Sequence, residues 1–346
     1  MADLRRRRRI CVAVIVLTSL SCCTTSSHVP STSPSALPSA SDTPLQVSAV
    51  PFEGVQAFAI DAPDRVLYVG AGVRPAPVAI VDGRTGETTS EDSFGYEHTD
   101  VVLAFDSLWV ANGNGACWAY SCGMGGDEPP RHPRFPNENS LSRLDPSTLR
   151  LIVPIRLHAA PESIAANDAA LFISAYGVPS TVVLRIDPAT NEIERRMPIR
   201  SPDPGPLAVV NGTVWMLKRS HGDWMIVRVD RRGDRIALPP LAPPVSFSSD
   251  GSLLWISSWN GSIIAIDPST AATVHSIDTS EPVIDVSNGD GGSWAITAHR
   301  VLQIDLTSDT VSESVRVARP ELRLIDQAGG GVWIASTGGL FTWPPR

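Results

Sequence analysis

The sequence has no N-terminal apolar run long enough to cross a membrane as a helix. The stretch from Ile10 to Leu20 has eleven residues, whereas a transmembrane helix needs about 20. Arg5 to Arg9 precede this stretch, and Ser21-Cys22-Cys23 follow it. A basic start, a short apolar core and small residues in this order are typical of a secretory signal peptide. We therefore interpret residues 1–22 as an export signal rather than as part of the fold.

The end of this signal resembles a bacterial lipobox, in which Leu and two small residues precede a lipidated Cys. Leu20-Ser21-Cys22-Cys23 places the modified residue at Cys23, and shifting the frame by one residue places it at Cys22. We favour Cys23. Several acyl chains, at about 0.8 kcal/mol per buried methylene, make a firm anchor. We expect the protein to be held at the extracytoplasmic side of the cell membrane, with a differently cleaved signal or an uncleaved anchor as the alternative.

Basic residues are scarce outside the signal, and Lys218 is the single lysine. Five of the 28 basic residues and one of the 36 acidic residues lie in positions 1–22, so the remainder carries a net charge of −12. Surfaces that bind nucleic acid are basic, and nucleic acid is therefore not expected as a partner. Residues 23–44 are rich in Ser, Thr and Pro, with little apolar surface to bury. Because proline keeps such a segment extended, we interpret it as a tether.

Cysteine is too rare for a cysteine-rich zinc site. Of the five cysteines, only Cys117 and Cys122 follow the signal and the lipobox, and no second pair completes a zinc ligand set. In an exported protein such a pair favours a disulfide. The chain also has no His-Glu-x-x-His motif, no Gly-x-Ser-x-Gly elbow and no glycine-rich phosphate loop. The sequence therefore predicts no cofactor and no metal site.

A repeat of about 40 residues fills the chain after the tether. An aromatic residue recurs with gaps of 41, 63, 43, 40, 39 and 39 residues, and four strands are predicted around each one. This period with four strands per unit is the signature of a propeller blade. We therefore predict an all-β fold over residues 45–346, a seven-bladed β-propeller of four-stranded blades. The aromatic positions are Tyr68, Trp109, Phe172, Trp215, Trp255, Trp294 and Trp333.

An aspartate ends the third strand of most units. Three of these aspartates begin nearly identical turns, at Asp145-Pro146-Ser147-Thr148, Asp187-Pro188-Ala189-Thr190 and Asp267-Pro268-Ser269-Thr270. Asp at the first turn position accepts hydrogen bonds from the backbone two residues on, and Pro presets the next φ. We interpret these residues as turn formers rather than as an acidic catalytic ring. The aromatic residues of the repeat are flat apolar plates suited to the space between sheets.

The last unit of the repeat has three predicted strands before Arg346. The segment from Leu45 to Val50 precedes the first unit and has the pattern of a further strand. Pairing it as the outer strand of the last blade would remove an exposed edge. We therefore predict that an N-terminal strand closes the seventh blade.

Units of the form Leu108-Trp109-Val110-Ala111, followed by an Ile-Asp-Pro-x-Thr turn, resemble the YVTN and NHL-type propellers. They are also similar to the propeller of streptogramin lyase (virginiamycin B lyase). The resemblance covers residues 45–346 and implies the fold, which does not determine activity. Streptogramin lyases place a magnesium ion and a catalytic His with glutamates in the loops of one face. His299 matches that histidine, but Thr or Ala stands where the neighbouring glutamate is expected.

An insertion at about residues 112–139 accounts for the one gap of 63 residues. It belongs to the loops between second and third strands, which share a face with the connections between blades. A Cys117–Cys122 disulfide would hold Trp118 and Tyr120 in position for a ligand; the alternative is that both aromatics plug the channel. Long insertions in compact domains are usually functional or disordered. Further ligand-binding candidates on this face are Tyr176, His221, Trp224 and Trp259.

Two functions fit these observations. The sequence favours a membrane-anchored extracytoplasmic module that binds a small molecule, a glycan, a peptide or a protein, because aromatics with a few polar groups suit such sites. The alternative is a metal-dependent lyase or hydrolase resembling streptogramin lyase, with His299 as the candidate catalytic residue and magnesium as its ion. Whether the protein is an enzyme is left open, and a non-enzymatic role is favoured.

Overall fold

Antiparallel β-sheet accounts for the regular structure of this chain. The computed structural model describes residues 55–62, 65–70, 77–82, 85, 87–93, 97–113, 139–177, 180–201, 204–220, 222–230, 234–239, 242–289, 292–317, 322–328, 331–336 and 339–343. No helix in these ranges has the length and apolarity needed to span a membrane. The predicted signal peptide, Cys22, Cys23, the tether at 23–44 and the strand from Leu45 to Val50 all lie outside them.

Six sheets have four strands each, in the sequential order of a propeller blade. The first contains β1 (Val55–Ala62), β2 (Arg65–Gly70), β3 (Pro77–Asp82) and β4 (Thr88–Ser93). The second contains β5 (Glu97–Ala104), β6 (Ser107–Gly113), β7 (Ser140–Leu144) and β8 (Leu151–Arg156). The third contains β9 (Ala160–Ala166), β10 (Leu171–Tyr176), β11 (Val182–Asp187) and β12 (Glu192–Pro198).

The second half of the chain repeats this order. The fourth blade contains β13 (Leu207–Val210), β14 (Thr213–Ser220), β15 (Asp223–Arg228) and β16 (Arg235–Ala237). The fifth contains β17 (Pro244–Ser249), β18 (Leu254–Ser258), β19 (Ser262–Asp267) and β20 (Ala272–Asp278). The sixth contains β21 (Asp285–Gly289), β22 (Gly292–Ile296), β23 (Arg300–Asp305) and β24 (Thr310–Arg316).

The last sheet has three strands, β25 (Leu322–Ala328), β26 (Gly331–Ser336) and β27 (Gly339–Trp343). The prediction of seven four-stranded blades is therefore wrong: the described residues form six four-stranded blades, and the final unit of the repeat is a three-stranded sheet. The predicted closing strand, Leu45 to Val50, lies outside the described residues. The all-β propeller of four-stranded antiparallel blades is confirmed in this coarser form.

The aromatic residues of the repeat whose side chains the structure describes pack between neighbouring sheets. Trp109 is fully buried in a cluster with Leu171 of the next blade. In the same way, Trp333 of the three-stranded sheet packs against Val66 of the first blade, so the sheets form a closed ring. Burying a large apolar side chain contributes roughly 1.5–3 kcal/mol. The described aromatics of the repeat are therefore core residues, as the sequence predicted.

The first strand of each sheet is the innermost one. First strands of neighbouring sheets contact one another around the ring, as β1 does with β5 and β21 does with β25. The connections between blades meet the loops between second and third strands, since Leu157 N donates to Asn139 O and Val317 N donates to His299 O. This arrangement places both kinds of loop on one face, which we call the upper face.

The aspartate turns lie at the opposite face and have the predicted local role. Asp145 Oδ1 accepts hydrogen bonds from the backbone N–H of Ser147 at 2.8 Å and from that of Thr148 at 3.0 Å. The bond from the Ser147 hydroxyl contributes most to lowering the pKa of Asp145 to about 2. Asp187 and Asp267 accept the same backbone bond two residues on.

Each of these turns ends with a residue in the left-handed region. The φ values are 58° at Leu149, 61° at Asn191, 60° at Ala271 and 54° at Asp309. The left-handed conformation costs an L-residue about 1–2 kcal/mol, less for Asn and Asp. Leu149 is fully buried, so packing compensates there, whereas Ala271 is exposed. Ala271 is thus a strained position without a packing contribution.

We predict that Ala271→Gly increases the free energy of unfolding by about 1 kcal/mol, because glycine adopts this φ without a Cβ clash. Urea unfolding of the full chain measures the change. Ala272→Gly is the matched control: Ala272 is the first residue of β20, and glycine in a strand lowers stability by about 0.5–1 kcal/mol. Equal destabilisation by both substitutions would show that Ala271 is not strained.

Candidate functional site

The sequence-predicted site at the insertion lies outside the described residues. Trp118, Tyr120, Cys117 and Cys122 all fall between β6 and β7, in residues 114–138. His221, between β14 and β15, is outside them as well. The disulfide and the aromatic presentation therefore stay predictions.

Four candidates are described, and they belong to four different blades. Tyr176 ends β10 and Trp224 lies in β15, both half-buried. Trp259, in the turn after β18, is 49% exposed, and His299 is exposed in the turn before β23. Trp224 packs beside the hydrophobic cluster between the fourth and fifth blades. No contact found among the described residues joins these four side chains into one site.

The innermost strands instead enclose a cavity on the propeller axis. Its volume is about 250 Å³, somewhat below the roughly 300–1,000 Å³ of pockets for drug-sized ligands. The residues lining this cavity, which we call the channel cavity, are Ala57, Phe58, Asp100, Ser248, Ser249, Asp285, Val286, Ser287, Asn288, Leu324, Ile325 and Asp326. None of the candidates selected from the sequence is among them.

Asp100 links two blades from the wall of this cavity. Its Oδ1 accepts a hydrogen bond from Val101 N in its own strand at 2.8 Å. Its Oδ2 accepts one from Ile164 N, in the innermost strand of the next blade, also at 2.8 Å. The Ser163 hydroxyl donates to the same carboxyl. The carboxyl therefore satisfies backbone donors on two edge strands that would otherwise face the channel.

Asp285 repeats this bridge between the sixth blade and the three-stranded sheet. Its Oδ1 accepts from Val286 N at 2.9 Å, and its Oδ2 accepts from Ile325 N at 3.1 Å. Asp100 and Asp285 occupy the same register, each pairing with the residue two positions after the aromatic of the second strand. Ser163 has this register in the third blade, and its hydroxyl accepts from Leu207 N at 3.3 Å. An equivalent position thus bridges neighbouring sheets with either Asp or Ser.

Asp326 and Asn288 are bonded differently from the bridging aspartates. Asp326 Oδ1 accepts from Gln327 N at 2.8 Å and from Ser287 Oγ at 3.4 Å. The structure gives Asp326 Oδ2 no partner among the described residues. Both polar atoms of the Asn288 amide are buried, and neither has a hydrogen-bond partner in the described part of the chain. These two neighbouring groups of the channel cavity therefore have unused hydrogen-bonding capacity.

Burial controls the ionisation of the channel carboxyls. Desolvation raises the pKa of Asp285 from 3.8 to about 7 and that of Asp100 from 3.8 to about 6, although their backbone hydrogen bonds act in the opposite direction. Desolvation also raises the pKa of Asp326. Carboxyls with raised pKa values are common at functional sites, and they can donate or accept a hydrogen bond near neutral pH.

A second buried polar cluster lies where the insertion leaves the second blade. His98 and Asn112 are both fully buried, and His98 Nδ1 lies 2.9 Å from Asn112 Oδ1. The Asn112 amide nitrogen donates to the hydroxyls of Ser140 and Ser142. Its amide oxygen is therefore the acceptor, and His98 Nδ1 carries a proton. This network joins β5, β6 and β7 at the base of the insertion.

The channel residues had only a faint signal in the sequence. Asp100 and Asp285 each stand directly before an apolar stretch, at Asp100-Val101-Val102 and Asp285-Val286. Aligning the units on their aromatics would have placed both at one register. Only the ring arrangement of the sheets shows that this register faces the axis. No group of three His, Cys, Asp or Glu residues within the described ranges is arranged to hold a metal ion.

We predict that the free energy of unfolding falls as the pH rises from about 5 to about 7, above the range in which the turn aspartates titrate. The folded state keeps protons on Asp285 and Asp100 up to a higher pH than the unfolded chain does, so it binds more protons in this window. Each unit of pKa difference corresponds to about 1.4 kcal/mol. Urea unfolding of the full chain across this pH range measures the slope.

Asp285→Ser isolates one of these carboxyls, because Ser163 shows that a hydroxyl fits the same register. The variant is expected to have a flatter pH profile than the parent. Asp267→Ser is the control: hydrogen bonds lower the pKa of this turn carboxyl, so its loss changes stability by a constant amount above about pH 5. A parent profile that rises with pH, or an unchanged slope in Asp285→Ser, would contradict the assignment.

Comparison with known proteins adds no relatives to this picture. No protein-family model matches the chain, and no curated protein sequence matches it. The architecture therefore rests on the structure, which is a β-propeller of four-stranded antiparallel blades. The closer kinship with YVTN and NHL-type propellers or with streptogramin lyases is not supported by any family or homologue.

Proposed function

We propose that the protein is a lipid-anchored, extracytoplasmic binding protein whose ligand site is the channel cavity. The observation that carries this proposal is Asp326 Oδ2, which has no partner among the described residues and belongs to the wall of a cavity lined by three carboxyls. Buried polar groups are nearly always hydrogen-bonded. A polar ligand in the cavity would supply a partner to this oxygen.

The surrounding scaffold suits this role because it is held rigidly before any ligand binds. Clusters of buried apolar side chains fill the spaces between neighbouring sheets. The bridges from Asp100 and Asp285 tie the innermost strands together at the cavity itself. A preformed site avoids much of the entropic cost of ordering on binding.

The location of the protein enters as a proposal from the sequence. The basic and apolar segments at Arg5 to Leu20, followed by Cys22 and Cys23, support export and lipid anchoring. Residues 23–44 would then hold the propeller away from the membrane surface. The membrane is thus the proposed partner of the N-terminus, and a small polar molecule is the proposed partner of the channel cavity.

We predict that a polar small molecule raises the melting temperature of the full chain, and that Asn288→Leu raises the free energy of unfolding by about 1 kcal/mol. Leucine has a similar size and removes a buried amide whose polar atoms lack partners, which cost about 1–3 kcal/mol when buried unsatisfied. The full chain is screened by thermal shift against sugars, polyols, amino acids and amines, since a bound ligand raises the melting temperature by mass action.

Asn167→Leu is the matched control for this substitution. The Asn167 amide is fully used, donating to Gly212 O and accepting from the backbone N–H of Ala169 and Ala170. Its replacement is expected to lower stability and to leave binding unchanged. If no compound of the panel raises the melting temperature, the channel cavity is not the ligand site. A loss of stability in Asn288→Leu would show that Asn288 has a structural role.

A further inference from the structure

The charged side chains that line the channel cavity, among the described residues, are all acidic. Asp100, Asp285 and Asp326 line it, and no Lys, Arg or His is among the described residues that do so. The negative charge of Asp326 raises the pKa of Asp285, so the two carboxyls interact electrostatically. A low-dielectric cavity with charges of one sign concentrates ligands of the opposite sign.

Only one of the three carboxyls has an oxygen to offer. Asp100 and Asp285 each use both oxygens to bridge backbone N–H groups of two sheets. Asp326 uses Oδ1 alone, for Gln327 N and Ser287 Oγ, and its Oδ2 has no partner within the described ranges. The two bridging carboxyls therefore maintain the wall, whereas Asp326 can accept a hydrogen bond from a ligand.

An aromatic residue at the same cavity also matches a cationic ligand. Phe58 lines the cavity, and an aromatic ring attracts a cation that lies over its face. An ammonium group provides three donors and a compact positive charge.

On this basis we propose that the channel cavity binds a compact ligand carrying a primary ammonium group, with Asp326 Oδ2 as its acceptor. This inference rests on the proposed function and names its ligand class. The volume of about 250 Å³ limits the ligand to a small molecule. A divalent metal ion is the competing occupant, and it requires oxygen ligands that converge on one point at about 2.0–2.6 Å.

The test uses the full chain with putrescine, its neutral isostere butane-1,4-diol, and magnesium and calcium chlorides as separate probes at constant ionic strength. Titration calorimetry at about pH 8, where the carboxyls are ionised and the amine is still protonated, gives the affinities. We expect putrescine to bind at least tenfold more tightly than the diol. We expect Asp326→Asn to weaken putrescine binding at least tenfold, while Asp168→Asn, which removes an exposed carboxyl remote from the cavity, leaves it unchanged.

A second measurement does not depend on any variant being folded. Burial raises the pKa of Asp285 to about 7, so this carboxyl is partly protonated at pH 7. A cation bound in the same cavity favours the ionised carboxyl, so putrescine binding should release protons and the diol should release none. Titrations in two buffers of different ionisation enthalpy report that release. Proton release together with the tenfold preference supports the proposal.

The remaining outcomes overturn the ammonium assignment in distinguishable ways. Equal binding of putrescine and the diol would identify a site for neutral polyols, and the proposed function would stand without the charged ligand. Binding of magnesium or calcium alone would identify a metal site. Unchanged affinity in Asp326→Asn would exclude this carboxyl as the acceptor. If hits from the wider panel bind but no amine does, only the ligand class fails; if nothing binds, the proposed function fails with it.

Discussion

The contact between neighbouring sheets is the constraint on which the rest of this ring depends. A single blade exposes two apolar faces, and only adjacent blades can cover them. Most of the described contacts contain an aromatic residue of the repeat, as Trp109 and Trp255 show. Closing the ring then brings the innermost strands together as edges, with backbone donors directed at the axis. Backbone N–H groups of this kind on the following sheet donate to the side chains of Asp100, Ser163 and Asp285. The channel wall is thus a by-product of the packing that closes the ring.

Much of the fold was predictable because its determinants are local. The spacing of the aromatics defines the unit, and the Asp-Pro turns define where the third strand ends, as Asp145 and Asp187 show through their own backbone hydrogen bonds. The number of four-stranded blades was predicted wrongly, because the last sheet has three strands, which lie where the sequence places them. The fourth strand expected for it was to come from the other end of the chain, and a local strand pattern does not encode such a non-local pairing.

The site was predicted poorly for a physical reason. The sequence reasoning favoured exposed aromatics and histidines in loops, and the described ones, such as Trp259 and His299, are spread over separate blades. The groups that meet at the axis are single Asp, Ser and Asn residues within ordinary strands. Asp326 and Asp285 act on one another only when the sixth blade meets the three-stranded sheet, so their chemistry is a property of the assembled ring.

The position that bridges neighbouring sheets is Asp in some blades and Ser in another. This difference separates two roles of the residue, accepting a hydrogen bond from the next sheet and carrying a negative charge. Either side chain can accept the N–H of the next sheet, as Asp285 and Ser163 do, but only the carboxyl adds a negative charge to the axis. Single substitutions between Asp and Ser can therefore change the charge of the interior at one sheet at a time, while the hydrogen bonds between neighbouring sheets are kept. A scaffold of this kind is able to change the charge of its interior in evolution without first becoming less stable.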